Sequence, residues 1–209
     1  MFRFHIFKFC VANLQFLLIS LCKIYLMKKI LSKLILWLIG WEVIGLKKYP
    51  KKCVVIVAPH TSNWDFLIGK FYGYVIGIKP RYLIKSEFFV PILGALFRWN
   101  GGIPVYRDFN NNIVGQIINR FKESDELILG ITPEGTRSKV EKWKMGFYHI
   151  AHNANVPILL LAMDFGNKEI GVINQIIPTG DIENDIQFIQ NQFKNIKGKI
   201  PENYNAIIR

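Results

Sequence analysis

The sequence predicts an α/β fold: a central mixed, partly parallel β-sheet flanked by helices and preceded by an amino-terminal membrane-embedded helical segment. Three observations lead there. Beyond residue 52 the chain alternates strand-like with helix-like stretches, the pattern of layered α/β proteins. Within it the run Cys53–Ala58 (CVVIVA) has no polar side chain but a thiol, as a strand buried on both faces requires. The first 52 residues, by contrast, hold ten Lys and Arg against one acid, Glu42, a net +9 of the chain's +12. At 209 residues, 51% hydrophobic and 14% aromatic, the chain has room for one ordinary domain with an appendage, and its composition is far from that of disordered segments.

Residues 1–48 read as an anchoring segment and 49–209 as a folded domain, with the composition changing across Lys47–Lys52 (KKYPKK). The uncharged run Val11–Cys22 and the nearly uncharged Ile30–Leu46 are both shorter than the roughly 20 residues of a membrane-crossing helix. Interleaved Lys23, Lys28, Lys29, Lys33, Lys47 and Lys48 suit helices that dip into one leaflet. Their ammonium groups would reach anionic head groups, and Trp37 and Trp41 would sit at the interface. A true span and a cleaved secretory signal are the competing readings. No Ala-x-Ala-like cleavage site follows the apolar core, and Leu21 before Cys22 does not suit a lipoprotein site. Met27, followed by Lys28-Lys29-Ile30, reads as an alternative initiator, which would leave Ile30–Leu46 as the main anchor. A basic chain this apolar points to a membrane surface before nucleic acid. Cys10, Cys22 and Cys53 lack the spacing of a disulfide framework or a zinc module.

After Cys53–Ala58, Thr61 or Ser62 offers an N-cap for a helix through about Tyr74. Arg81–Ile84 reads as a short strand, Glu87–Trp99 as a helix and Ile103–Tyr106 as a strand. Asn111–Phe121 follows as an amphipathic helix, Leu127–Ile131 as a strand and Gly146–Asn153 as a helix. Val156–Met163 and Ile170–Ile176 are further strands. Ile182–Ile196 closes the chain as a helix, with apolar residues at 182, 186, 189, 193 and 196.

In such folds ligands gather at the carboxyl ends of strands. His60 stands there, directly after the first buried strand, and Asp65 falls in the first turn of the helix that follows. A carboxylate on one ring nitrogen fixes the tautomer and leaves the other nitrogen as a general base. The same residues also match a capping box, Ser62-x-x-Asp65, in which the carboxylate only satisfies backbone donors. Thr132-Pro133-Glu134-Gly135-Thr136-Arg137-Ser138 follows a second buried strand, and its Arg, hydroxyls and glycine suit an anionic, hydroxylated ligand; a polar surface turn is the plainer alternative. Gly101 through Arg107 adds a second arginine after a short strand, or forms a simple hairpin-like loop. His149 and His152 lie three apart on a helix, with no carboxylate or cysteine nearby to complete a metal set.

The order and spacing of these segments resemble the glycerolipid (lysophospholipid) acyltransferase family over roughly residues 48–180. The family's His-x4-Asp motif stands as His60 to Asp65, its Gly-rich strand ending in Arg as Gly102 to Arg107, and its Glu-Gly-Thr-Arg motif as Glu134, Gly135, Thr136 and Arg137. Its Val-Pro-Ile strand start stands as Val156-Pro157-Ile158. Lys85, Lys144 and Gly146 also fall where family members carry such residues. Pro59 precedes the histidine where many relatives have Asn, and Phe147-Tyr148 replace residues that are frequently small.

The resemblance implies an O-acyltransferase. His60, oriented by Asp65, would deprotonate a glycerol hydroxyl that attacks an acyl thioester and releases the thiolate of coenzyme A or acyl carrier protein. Arg107 and Arg137 would hold the acceptor phosphate, with Glu134 orienting Arg137 or the glycerol hydroxyls and Lys85 also at the substrate site. The acceptor implied is 1-acylglycerol 3-phosphate, giving phosphatidic acid. No cofactor is implied beyond the thioester co-substrate, and no metal, since imidazole titrates near neutrality and a thiolate leaves readily. The partners implied are membrane lipids and the thioester donor, not nucleic acid, with the protein monotopic or short-anchored at the cytoplasmic face of the cell membrane. Acylation of a phosphate-free lyso-aminolipid and non-catalytic lipid binding are the alternatives.

Overall fold

The structure is a computed structural model that describes residues 23–46, 48–106 and 112–205. The expected segment Val11–Cys22, Lys47 and Arg107 lie outside these residues.

The β-branched run folds as expected into β2 (Lys52–Ala58), the centre of a seven-stranded sheet. The other strands are β1 (Glu42–Gly45), β3 (Arg81–Lys85), β4 (Gly102–Val105), β5 (Leu127–Ile131), β6 (Ile158–Asp164) and β7 (Glu169–Ile176), in the order β1-β7-β6-β2-β5-β3-β4. Every pairing is parallel except β6 with β7. Side chains of β2 alternate between two cores: Val54, Ile56 and Ala58 on one face, Cys53 and Val55 on the other.

A helix over residues 23–38 (α1) and helix α2 (Trp64–Ile76) cover the second of these faces, placing Leu36, Ile68 and Tyr72 against it. Helix α3 (Pro91–Trp99) packs beside β4. Helices α4 (Ile113–Glu123), α5 (Gly146–Ala154) and α6 (Ile182–Phe193) cover the first face with Ile117, Phe121, Phe147, Ile150, Ile189 and Phe193. The sheet is therefore mixed and sandwiched between helical layers, as the sequence predicts.

Four expectations need correction. The apolar stretch Ile30–Leu46 is not one helix: α1 ends at residue 38, and Val43-Ile44 join the sheet through β1, parallel to β7. Part of the sheet thus lies on the amino-terminal side of the boundary expected at residue 48. Trp41 packs edge-on against Phe165 with ring centroids 4.8 Å apart, so of the two tryptophans expected at an interface only Trp37 faces outward, 71% exposed. The helix expected over Glu87–Trp99 is broken into a 3₁₀ turn, Ser86–Phe88, and α3, because Pro91 has no N–H to continue a helix and takes its first turn instead. Finally, the N-cap of α2 is Asn63, not Thr61 or Ser62.

Among the described residues no helix is long and apolar enough to cross a membrane.

Candidate active site

Strands β2 and β5 pair in parallel, with Ile56 opposite Ile131, so the loops that leave their carboxyl ends emerge side by side. His60 lies on the first loop and Glu134 on the second. The Oε1 of Glu134 accepts the backbone N–H of His60 at 3.1 Å, which ties the two loops together.

The His60 ring is 17% exposed, and its Nδ1 lies 3.0 Å from Oδ2 of Asp65. A carboxylate only accepts, so Nδ1 carries the proton and Nε2 is left as the basic nitrogen. The same Oδ2 also accepts the backbone N–H groups of Thr61 at 2.8 Å and Ser62 at 2.9 Å. The carboxylate therefore satisfies backbone donors, as the capping reading expects, and lies against the His60 ring as well. One oxygen fixes the loop and orients the ring. Of the hydroxyls beside the base, Oγ1 of Thr61 accepts the N–H of Ile200 and Oγ of Ser62 accepts the N–H of Trp64, both at 3.2 Å.

Glu134 is buried, and desolvation raises its pKa to about 7 despite the lowering effect of nearby backbone donors and the His60 charge. It makes no ion pair with Arg137. Among the described residues the ion pair is His60 with Asp65, and Arg137 is exposed together with Thr136. Glu134 thus holds the base-bearing loop instead of the arginine. Gly135 sits at φ +66°, a left-handed backbone that a side chain rarely takes, and a Cβ there would meet the Lys144 side chain at 2.9 Å. The Lys144 N–H in turn donates to the Pro133 carbonyl at 2.8 Å, closing the turn.

Lys85 is exposed at the end of β3, on the same sheet edge and two strands away from β2. Arg107, beyond β4, lies outside the described residues. Gly146 opens α5, with nothing within 4 Å of a Cβ there. The bulky residues after it have structural work: Phe147 is buried in the core, and Tyr148 donates its hydroxyl to Asp185 at 2.7 Å. Among the described residues no group of three or more His, Cys, Asp or Glu is placed to hold a metal ion.

Sequence reasoning missed the carboxyl-terminal segment. Residues 197–204 return across the edge of the sheet that carries His60, where Phe165 donates its N–H to the Lys197 carbonyl at 2.8 Å. Gly198 is so close that a Cβ would stand 2.8 Å from Thr61 and 3.2 Å from Pro59. Tyr204 buries its hydroxyl near Glu134, and burial followed by that carboxylate's charge raises its pKa. The Lys197–Pro201 stretch (KGKIP) reads as an ordinary polar tail, so only the close approach of Gly198 reveals its role.

A carboxylate-held imidazole beside a glycine-bearing loop with a free arginine is equipped to deprotonate a hydroxyl next to an anionic group. The family model described as "Acyltransferase" matches residues 40–164. The 1-acyl-sn-glycerol-3-phosphate acyltransferase of Pseudomonas aeruginosa is 29% identical over 137 residues, 61% of this chain and 51% of that protein. The "Probable 1-acyl-sn-glycerol-3-phosphate acyltransferase" of Mycoplasma genitalium is 32% identical over 146 residues, 63% of this chain and 53% of its own length. The chain spans about half the length of the curated relatives it matches. Among solved structures, the 1-acyl-sn-glycerophosphate (LPA) acyltransferase PlsC from Thermotoga maritima superposes with a TM-score of 0.58 at 18% identity, covering 81% of this chain and 76% of that one. That likeness concerns the fold. The chain belongs to the acyltransferase family.

Proposed function

We propose that the protein transfers a fatty acyl group from a thioester, acyl-CoA or acyl carrier protein, to a hydroxyl of a lysophospholipid, with 1-acylglycerol 3-phosphate as the acceptor. The observation that carries this reading is the His60–Asp65 pair, whose Nε2 is left as a base at the carboxyl edge of the sheet. The acceptor hydroxyl gives its proton to Nε2 while its oxygen attacks the thioester carbonyl. The tetrahedral intermediate collapses, the C–S bond breaks, and the thiolate takes the proton back from the imidazolium. Asp65 stabilises that imidazolium from 3.0 Å away. No enzyme nucleophile is required, because the acceptor hydroxyl attacks the thioester directly. Arg137, free of any carboxylate among the described residues, offers a planar pair of donors to the acceptor phosphate. Arg107 and Lys85 join it on the strength of the resemblance.

The work takes place at a membrane surface. Helix α1 supports this by its inverted amphipathicity. Lys28, Ser32, Ile35 and Leu36 turn inward, whereas Met27, Ile30, Leu31, Leu34 and Leu38 face outward. An outward apolar face flanked by Lys29 and Lys33 suits insertion into one leaflet.

The test is a panel of lysolipids, with and without phosphate, assayed with both thioester donors and with His60→Ala as control. Acyl transfer to 1-acylglycerol 3-phosphate that vanishes in His60→Ala is the expected result. Transfer only to phosphate-free acceptors would replace the acceptor, and transfer surviving in His60→Ala would remove the mechanism.

A further inference from the structure

Twelve residues after β3 expose an unusual amount of apolar surface. Phe88 is 52% exposed, Ile92 85% and Trp99 73%, and Val90, Leu93 and Leu96 are each about half exposed. On α3 the exposed positions 92, 93, 96 and 99 share one helical face, while Gly94 and Phe97 turn toward Phe89 and the start of β4. Monomeric proteins rarely leave such a continuous apolar strip open to water. Folding does not explain it, because these side chains reach no core.

The strip has a definite place. It starts where β3 ends, and β3 runs parallel within the same sheet as β2, so Phe88 and Val90 lie along the edge that carries His60. It ends at Trp99, whose ring lies 5.4 Å from Nζ of Lys28 on α1. The amino-terminal part of α1 and the end of α3 are therefore neighbours. At their junction Lys28 and Lys70 both approach the ring of Tyr74, at 5.7 and 5.6 Å, and neither has a carboxylate partner among the described residues. Burial and the charge of Lys28 together lower the pKa of Lys70, a strain that a nearby anion would relieve. Lys70 donates to the Asn100 carbonyl at 3.3 Å, but its charge and that of Lys28 meet no carboxylate among the described residues. Apolar side chains beside such ammonium groups match acyl chains beside lipid phosphates better than they match a second copy of this basic surface.

We propose that Phe88–Trp99 is a second membrane foothold, seating its outward side chains in the same lipid leaflet as α1 and holding the His60 edge of the sheet at the bilayer surface. This rests on the reading of the chain as an enzyme that meets its acceptor in a membrane. The foothold turns a tethered domain into an oriented one. Lysolipid can then reach the catalytic edge without leaving the bilayer.

The experiment is vesicle flotation of the full chain with mixed phosphatidylcholine–phosphatidylglycerol vesicles, comparing wild type, Ile92→Glu/Leu96→Glu and, on α1, Leu31→Glu/Leu34→Glu. All four positions are exposed, so thermal melts without vesicles should coincide. The α3 pair should lower partitioning at least about tenfold. It should slow acylation of long-chain lysolipid in vesicles to a similar degree, while a water-dissolved short-chain lysolipid is turned over normally. Quenching of tryptophan by brominated-chain lipids should fall in Trp99→Phe, a readout that holds even if the double variant folds poorly. Unchanged flotation of the α3 pair, or unchanged quenching in Trp99→Phe, would overturn the proposal. So would a wild-type dimer that the α3 pair splits with no change in flotation, since the face would then belong to a second copy. If flotation depends on α3 but no lysolipid is acylated by wild type, the foothold stands and the acyltransferase reading falls.

Discussion

Replacing Asp65 with Asn separates the two tasks of one oxygen. Oδ2 receives the N–H groups of Thr61 and Ser62 and the Nδ1–H of His60, at 2.8, 2.9 and 3.0 Å. An Asn carbonyl can occupy the same position and accept all three, but without charge. A charge-assisted bond contributes about 1.5–3 kcal/mol and a neutral one about 0.5–1.5, so the two backbone bonds together lose about 2 kcal/mol of stability. The ring loses more, because an amide does not stabilise the imidazolium that forms as the hydroxyl is deprotonated. A fall in kcat on the order of 10³ to 10⁴ is expected. His60→Ala, in contrast, leaves both backbone bonds in place and should change stability by no more than about 1 kcal/mol while abolishing turnover. The assay is a double-mutant cycle, with urea unfolding and initial rates on the four proteins. The stability cost of Asp65→Asn should persist in the His60→Ala background, since it belongs to Thr61 and Ser62. If turnover survives Asp65→Asn while stability falls, the carboxylate is only a cap. If the stability cost disappears once His60 is gone, the backbone bonds contribute nothing and the account of the loop is wrong.

Glu134 holds its proton to about pH 7 in the folded protein, against an ordinary value of 4.5, so the folded state binds more protons than the unfolded chain between those values. Its contribution therefore weakens as pH rises through that window, and Glu134→Gln should gain on wild type by up to about 3 kcal/mol between pH 4.5 and 7. Melts at several pH values check this, and a constant gap would refute it. Gly198→Ala forces a methyl group to 2.8 Å from buried Thr61, which should cost about 1–3 kcal/mol and lower kcat by displacing the His60 loop. Thr61→Ala in the same chain should recover part of both losses, and the absence of any recovery would count against the contact. Arg137→Ala, at an exposed position, should leave the melt unchanged and raise the KM for a phosphate-bearing lysolipid by about 30-fold or more, through loss of about 2–4 kcal/mol, with little change for the thioester donor. Equal effects on both substrates would assign Arg137 another role.

How far the sequence could be read depended on whether local chemistry or distant packing set each position. The run CVVIVA has one stable use, a strand buried on both faces, and β2 follows from it directly. His60 and Asp65 lie five residues apart, so the turn that joins strand to helix is enough to bring them together. Glu134 is different. Its spacing within the Glu-Gly-Thr-Arg motif invites a pairing with Arg137, yet the parallel register of β2 and β5 turns its carboxyl group toward the backbone of His60, 74 residues earlier. Strand β1 was hidden for a related reason. Val43 and Ile44 continue an apolar stretch that reads equally well as helix, and only pairing with β7, far along the chain, decides for strand. The carboxyl-terminal segment gave no local signal at all, because a glycine that admits a neighbour looks like a glycine that makes a turn. Each of these positions depends on a partner more than seventy residues away. All but the edge strand converge on the loop of His60. The chemistry of the base is thus written locally, while the rigidity that would make it effective comes from two remote stretches of chain, the Glu134 loop and the carboxyl-terminal segment, meeting the His60 loop at one end of β2.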